Sequence, residues 1–207
     1  MLKTALLFLC SVPLLPAQTA TTASATLTDQ EREFAVKHLQ NSEKMFLESI
    51  AGLTPEQWNF KAGPDRWSIA ECAEHITISE DFISGLVRDK IMQAPADPSK
   101  RSETKGKDEL VVEKVPDRSR KFQAPEAITP KKRWPTPDVL VAHFKESRAA
   151  SINFVETTQD DMRDHIAAHP AMGPLDAYQW ILLMSAHTER HTAQINEVKA
   201  DPKYPKP

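Results

Sequence analysis

The residues in this 207-residue chain best suited to chemistry are in HTERH, His187 to His191, set inside the apolar run WILLMSAHTERHTAQI. On a helix, side chains four positions apart lie one above the other, so the two imidazoles can converge on a single ion. The same line continues through Trp180, Leu183, Met184, Gln194, Ile195 and Val198, so the pair is expected to face inward. Burying an imidazole without partners costs on the order of 1–3 kcal/mol, and something must compensate. A bound ion would do so; so would ordinary hydrogen bonds within a core, and the pair alone does not choose. Thr188 stands where a zinc protease of the HExxH type carries its glutamate, and Glu189 should point off the shared face.

A third ligand would have to come from another helix. His75 is the best candidate, because it also lies on a helical stretch with apolar neighbours. Three histidines with a coordination position left open make a reactive rather than a purely structural site. Gln194, one turn beyond His191, is either a contact to that site or an ordinary packing amide. Glu71 is the nearest carboxylate that could act as a base, although a helix-capping role explains it better. His165 and His169 form a competing pair in DHIAAHP, but in a loop-like segment without an apolar stripe, while His38 and His143 are expected at the bundle edge or in solvent. Cys72, between apolar neighbours, reads as a small hydrophobe rather than a nucleophile.

The elements that must position these groups can be traced from caps and periodicity. Thr28-Asp-Gln-Glu31 has the form of a capping box and predicts a first helix carrying Phe34, Leu39, Met45, Phe46 and Ile50, ending near Gly52. A short turn of helix is expected at Pro55 to Trp58. Ser68-Ile-Ala-Glu71 repeats the box and predicts a second helix from Ile69, with Cys72, Ile76, Phe82, Ile83 and Leu86 inward. From about Ala94 to Pro135 the pattern dissolves into a long connection rich in Pro, Lys, Ser and Asp. Its local excess of basic residues suits either a solvated crossing or a rim favouring anions. Thr136-Pro137 opens a third helix with Val139, Leu140, Phe144, Ile152 and Val155 as its stripe, and Pro174 is expected to open a fourth that runs to about Lys199. With no convincing strand, the fold class is all-α: a four-helix bundle with a long connection between helices 2 and 3.

A formal charge of -3 provides no global basic field for nucleic acid. Residues 1–25 have the charged, apolar and small-residue regions of an export signal, with cleavage after Ala17 or Ala25, and the apolar run is too short for a stable membrane anchor. Residues 26–207 are then expected as a single exported domain, periplasmic or extracellular. Loss of Cys10 with the leader would leave Cys72 alone, so packing rather than a disulfide must hold the core.

The stretches RWSIAECAEHI (66–76), VPDRSRKFQAPEAITP (115–130), HPAMGPLDAYQWILLMSAHTERHTAQI (169–195) and the closing VKADPKYP resemble the DinB-like superfamily of metal-binding four-helix proteins, which includes YfiT-type hydrolases and some thiol transferases. The resemblance implies a metal site of His75, His187 and His191. It implies a divalent transition metal, zinc or nickel foremost, with iron, manganese and cobalt also compatible, and it implies homodimers. Three functions stay open at this stage: a metal-dependent hydrolase acting on a small molecule, a metal-dependent thiol transferase, and a non-catalytic metal-binding or structural module. Export favours the first over the second, since small thiols of that kind are chiefly cytoplasmic.

Overall fold

The computed structural model describes residues 26–206. The expected leader, its two cleavage points and Cys10 lie outside the described residues. Four long helices form the body: α1 (Asp29–Ile50), α3 (Ile69–Leu86), α6 (Pro137–Thr157) and α7 (Ala177–Lys199). The short α2 (Pro55–Asn59) lies between α1 and α3, and a turn of wider helix, Val87–Ile91, prolongs α3. Both capping boxes form: Thr28 with Glu31 starts α1, and Ser68 with Glu71 starts α3. Each pairs a side-chain oxygen with a free N–H of the first turn while the glutamate accepts from the cap residue's own N–H.

Four expectations need correction. The long connection is not formless: it holds α4 (Arg101–Thr104), α5 (Lys107–Lys114) and a tight turn at Glu126–Ile128. These helices are too short to display a period, and α5 is held by packing on α7 with Val111 fully buried. Strands are present, as β1 (Ile166–His169) and β2 (Gly173–Asp176) pair antiparallel in a small hairpin appended to the helical bundle. Pro174 therefore lies in β2 rather than opening the last helix. That start belongs to Asp176, whose side chain caps the Gln179 N–H at 2.8 Å while Gln179 accepts from the Asp176 N–H. Finally, Met45, Phe82 and Val139 are 45, 47 and 45% exposed, so the apolar stripes of α1, α3 and α6 are narrower than their sequences suggest.

The arrangement of the four helices could not be read from their order. α1 packs on α6 and α7, and α3 packs on the same two helices. The first two long helices thus lie across a diagonal, and so do the last two. At the centre sits Arg148 of α6, with no exposed surface. Its guanidinium donates to both carboxylate oxygens of Glu80 on α3 (2.9 and 2.6 Å), to the Leu39 carbonyl and Ser42 hydroxyl on α1 (2.6 and 2.7 Å), and to Thr188 on α7 (3.0 Å). One planar fork thereby touches all three other helices, and its partners fix their relative heights. Among the described residues no helix is long and apolar enough to cross a membrane.

Candidate metal centre

α3 and α7 pack side by side, and their contact brings His75 against the HTERH turn. The Nε2 atom of His75 lies 3.2 Å from Nε2 of His187 and 3.1 Å from Nε2 of His191, with one ligating nitrogen from each of the three within 4.8 Å of the others. His75 and His191 are buried, and His187 is the most accessible of the three. Trp67, at the residue before the α3 cap, walls the cluster, its ring 4.8 Å from that of His75 and 6.0 Å from that of His191.

The hydrogen bonds on the far sides of the rings determine which nitrogens carry protons. His75 Nδ1 lies 2.7 Å from the Ile128 carbonyl oxygen, which can only accept, so Nδ1 is the donor. His191 Nδ1 lies 2.8 Å from Gln194 Oε1, and Arg118 donates to that same oxygen at 3.2 Å. Because a guanidinium can only donate, the shared atom is an acceptor and His191 Nδ1 is also a donor. Burial pushes the His75 imidazole down to about 4, against the pull of the Ile128 carbonyl. Burial, then the neighbouring imidazole of His75, hold His191 well below the ordinary histidine range; His187 is held low by withdrawal from solvent and by His191 and His75. Neutral rings with protonated Nδ1 leave bare lone pairs on the Nε2 atoms of His75 and His191.

Two lone pairs 3.1 Å apart repel each other and cannot hydrogen-bond, an arrangement consistent with a positive centre between them. The spacing fits one. Metal–nitrogen bonds of about 2.0–2.1 Å at tetrahedral angles put ligand nitrogens roughly 3.3–3.4 Å apart. Three neutral imidazoles form a donor set for zinc, nickel, iron, manganese or cobalt, and the geometry does not select among them.

The other histidines are elsewhere. His165 Nδ1 meets the Ile91 carbonyl at 3.1 Å, whereas His169 Nδ1 accepts the N–H groups of Ala171 and Met172, so this pair does not share a site. His143 bonds Asp81 at 2.8 Å. Glu189 lies 3.9 Å from His38 and off the cluster. Glu71 is committed: one oxygen accepts the Ser68 N–H and the other is 2.8 Å from Lys61. Cys72 is fully buried and its thiol is pushed up to about 12 by burial, as suits a core residue. Gln194, left open by the sequence, proves to hold His191. Trp67 and Arg118 were not anticipated. Ile128 acts through its backbone and leaves no trace in residue type.

Part of the basic excess of the connection is answered by nearby acids. Arg118 forms a two-pronged pair with Glu197 (2.6 and 2.9 Å), Arg101 pairs with Asp164 at 2.6 Å, and Lys100 with Asp97 at 2.8 Å. Arg101 and Arg118 fasten the crossing to the hairpin segment and to α7.

Compared with known proteins, residues 38–195 match the sequence profile of the DinB superfamily. The chain belongs to the DinB superfamily. As a DinB-superfamily protein it is 23% identical over 150 residues to the uncharacterized protein YuaE of Bacillus subtilis (strain 168), covering 72% of this chain and 88% of that one. Among solved structures it is similar to YfiT from Bacillus subtilis, described as a probable metal-dependent hydrolase with an unusual four-helix bundle topology. That match has a TM-score of 0.52 at 14% identity and covers 84% of this chain and 89% of the other. It carries the fold and leaves the chemistry to the site.

Proposed function

We propose that this DinB-superfamily protein is an exported metal-dependent hydrolase whose ion is held by His75, His187 and His191. The observation that carries the metal is the pair of facing lone pairs at 3.1 Å, each fixed by a donor hydrogen bond on the opposite side of its ring. A divalent ion held there supplies Lewis acidity, lowering the pKa of a water and polarising the bond to be cleaved. The chain's own residues do the rest. Ile128 and Gln194 orient two imidazoles, and Trp67 shields that side from water. His187 is the least buried of the three ligands. Hydrolysis is favoured over thiol transfer by the expected leader and by the description of YfiT, whose fold this chain shares.

Elemental analysis of purified protein, followed by turnover assays on ester, amide and phosphoester panels, tests the reading. About one equivalent of transition metal is expected, lost in the His187→Ala, His191→Ala double variant along with any hydrolysis. Full retention of metal by that variant would overturn the site. Retained metal without turnover on any panel would leave a staple joining α3 to α7 in place of a hydrolase.

A further inference from the structure

Two of the three imidazoles are oriented with the help of groups on the connection between α5 and α6, Ile128 for His75 and Arg118 for the Gln194 that holds His191. The stretch from Val115 to Pro135 has only a single tight turn of its own, at Glu126–Ile128. Its Ile128 end is tied down by the residue immediately before the first ligand. Glu74, 6% exposed, directs its carboxylate at three successive backbone amides: Oε1 accepts from Lys131 N–H at 2.9 Å and Arg133 N–H at 2.8 Å, and Oε2 accepts from Lys132 N–H at 2.9 Å. Lys132 adopts a left-handed backbone, φ 59, alone among the described non-glycine residues. That conformation turns consecutive N–H groups toward one anion, and it is strained for a side-chain-bearing residue unless something repays it. The turn above is fixed in the same piece, with Arg133 donating to the Ala127 carbonyl at 3.1 Å and the Ile128 N–H donating to Pro125 at 3.1 Å.

We propose that Glu74 is a positioning residue of the metal centre: by gathering the amides of residues 131–133 it holds the Ile128 carbonyl against His75 Nδ1, fixing the tautomer and direction of the ligand. The inference rests on the metal-centre reading. Adjacent positions on α3 divide the work, His75 offering its lone pair to the site and Glu74 securing the segment that keeps the lone pair there. Without the carboxylate the three amides lose their common acceptor, and the Ile128 carbonyl is free to leave. The His75 proton can then move to Nε2, where it points into the site and blocks coordination.

The test compares wild type, Glu74→Ala and Glu74→Gln, with Tyr178→Phe as a control; the control loses a hydrogen bond to the Glu31 carbonyl, away from the cluster. Cobalt(II) affinity is measured by chelator competition with the cobalt absorption spectrum, and the His75 tautomer by nitrogen-15 NMR of metal-free protein. Glu74→Ala is expected to weaken cobalt about tenfold or more, alter the spectrum and populate the Nε2–H form of His75. Glu74→Gln, which keeps the oxygen serving two amides, should fall between. Tyr178→Phe should change neither spectrum nor tautomer. A folded Glu74→Ala with wild-type affinity, spectrum and tautomer overturns the proposal; if that variant does not fold, a wild-type-like Glu74→Gln does so. If wild type binds no cobalt, the metal reading fails, yet the tautomer measurement still decides whether Glu74 sets His75.

Discussion

Arg148 and Glu80 meet as a two-pronged ion pair, at 2.9 and 2.6 Å, with neither side chain exposed to solvent. The pair lies at the crossing of two diagonals, α1 to α3 and α6 to α7, and every other hydrogen bond of the guanidinium goes to a different helix from its own. Removing one partner leaves the other charge buried and alone.

Arg148→Met should therefore destabilise the fold by about 3–5 kcal/mol. The Arg148→Met, Glu80→Leu double variant should recover part of that loss, since no buried charge is left unpaired, while the Leu39 carbonyl, Ser42 and Thr188 still lose a donor. Urea midpoints for the two variants check both statements. A single variant within roughly 1 kcal/mol of wild type would show that the pair does not organise the core.

Gln194 touches His191 and Arg118. Gln194→Leu removes the acceptor that keeps the His191 proton on Nδ1, so metal affinity should fall about 10–100-fold with little change in thermal stability. Gln194→Glu keeps an acceptor facing both partners and should restore binding. Chelator competition with zinc distinguishes the two, and equal affinities in Gln194→Leu and wild type would remove Gln194 from the site.

Glu31 links the α1 cap to Arg163, with contacts of 2.9 and 2.6 Å. Burial works against its ionisation, but the Thr28 N–H and the Arg163 guanidinium outweigh it and hold the carboxyl below its usual 4.5. A depressed carboxylate contributes stability above its unfolded pKa and loses it as pH falls through the folded one. Glu31→Gln should then cost about 0.5–1 kcal/mol at pH 7, the size left after solvent screening of a partly exposed pair. The difference from wild type should shrink as pH falls below 4.5 and through the depressed folded-state pKa. Denaturant curves across that acid range measure it; a gap that does not change with pH would trace the effect to shape rather than charge.

The clustering of the three histidines was legible because their helices announce themselves: the Ser68 capping box places His75 on α3, and a long apolar stripe places His187 and His191 on α7. Their orienting partners were less so. Gln194 lies on the same helix as His191 and could be suspected from its spacing, whereas the Ile128 carbonyl and the amides held by Glu74 belong to the backbone, which every residue has. The hairpin escaped because four-residue strands carry almost no alternation, and Pro174 imitated a helix start that Asp176 makes two residues later. The diagonal order was illegible because stripe width says how much of a helix is covered and not by which neighbour.

That order bears on how the molecule comes into being. α1 rests on α6 and α7, and α3 rests on the same two helices. A nascent chain ending before residue 137 holds two long helices with neither of their chief neighbours, so no early half can close by itself. Two of the three imidazoles arrive with the final helix. The site and the bundle are thus completed only when α7 is in place, and a chain ending before Ala177 has neither.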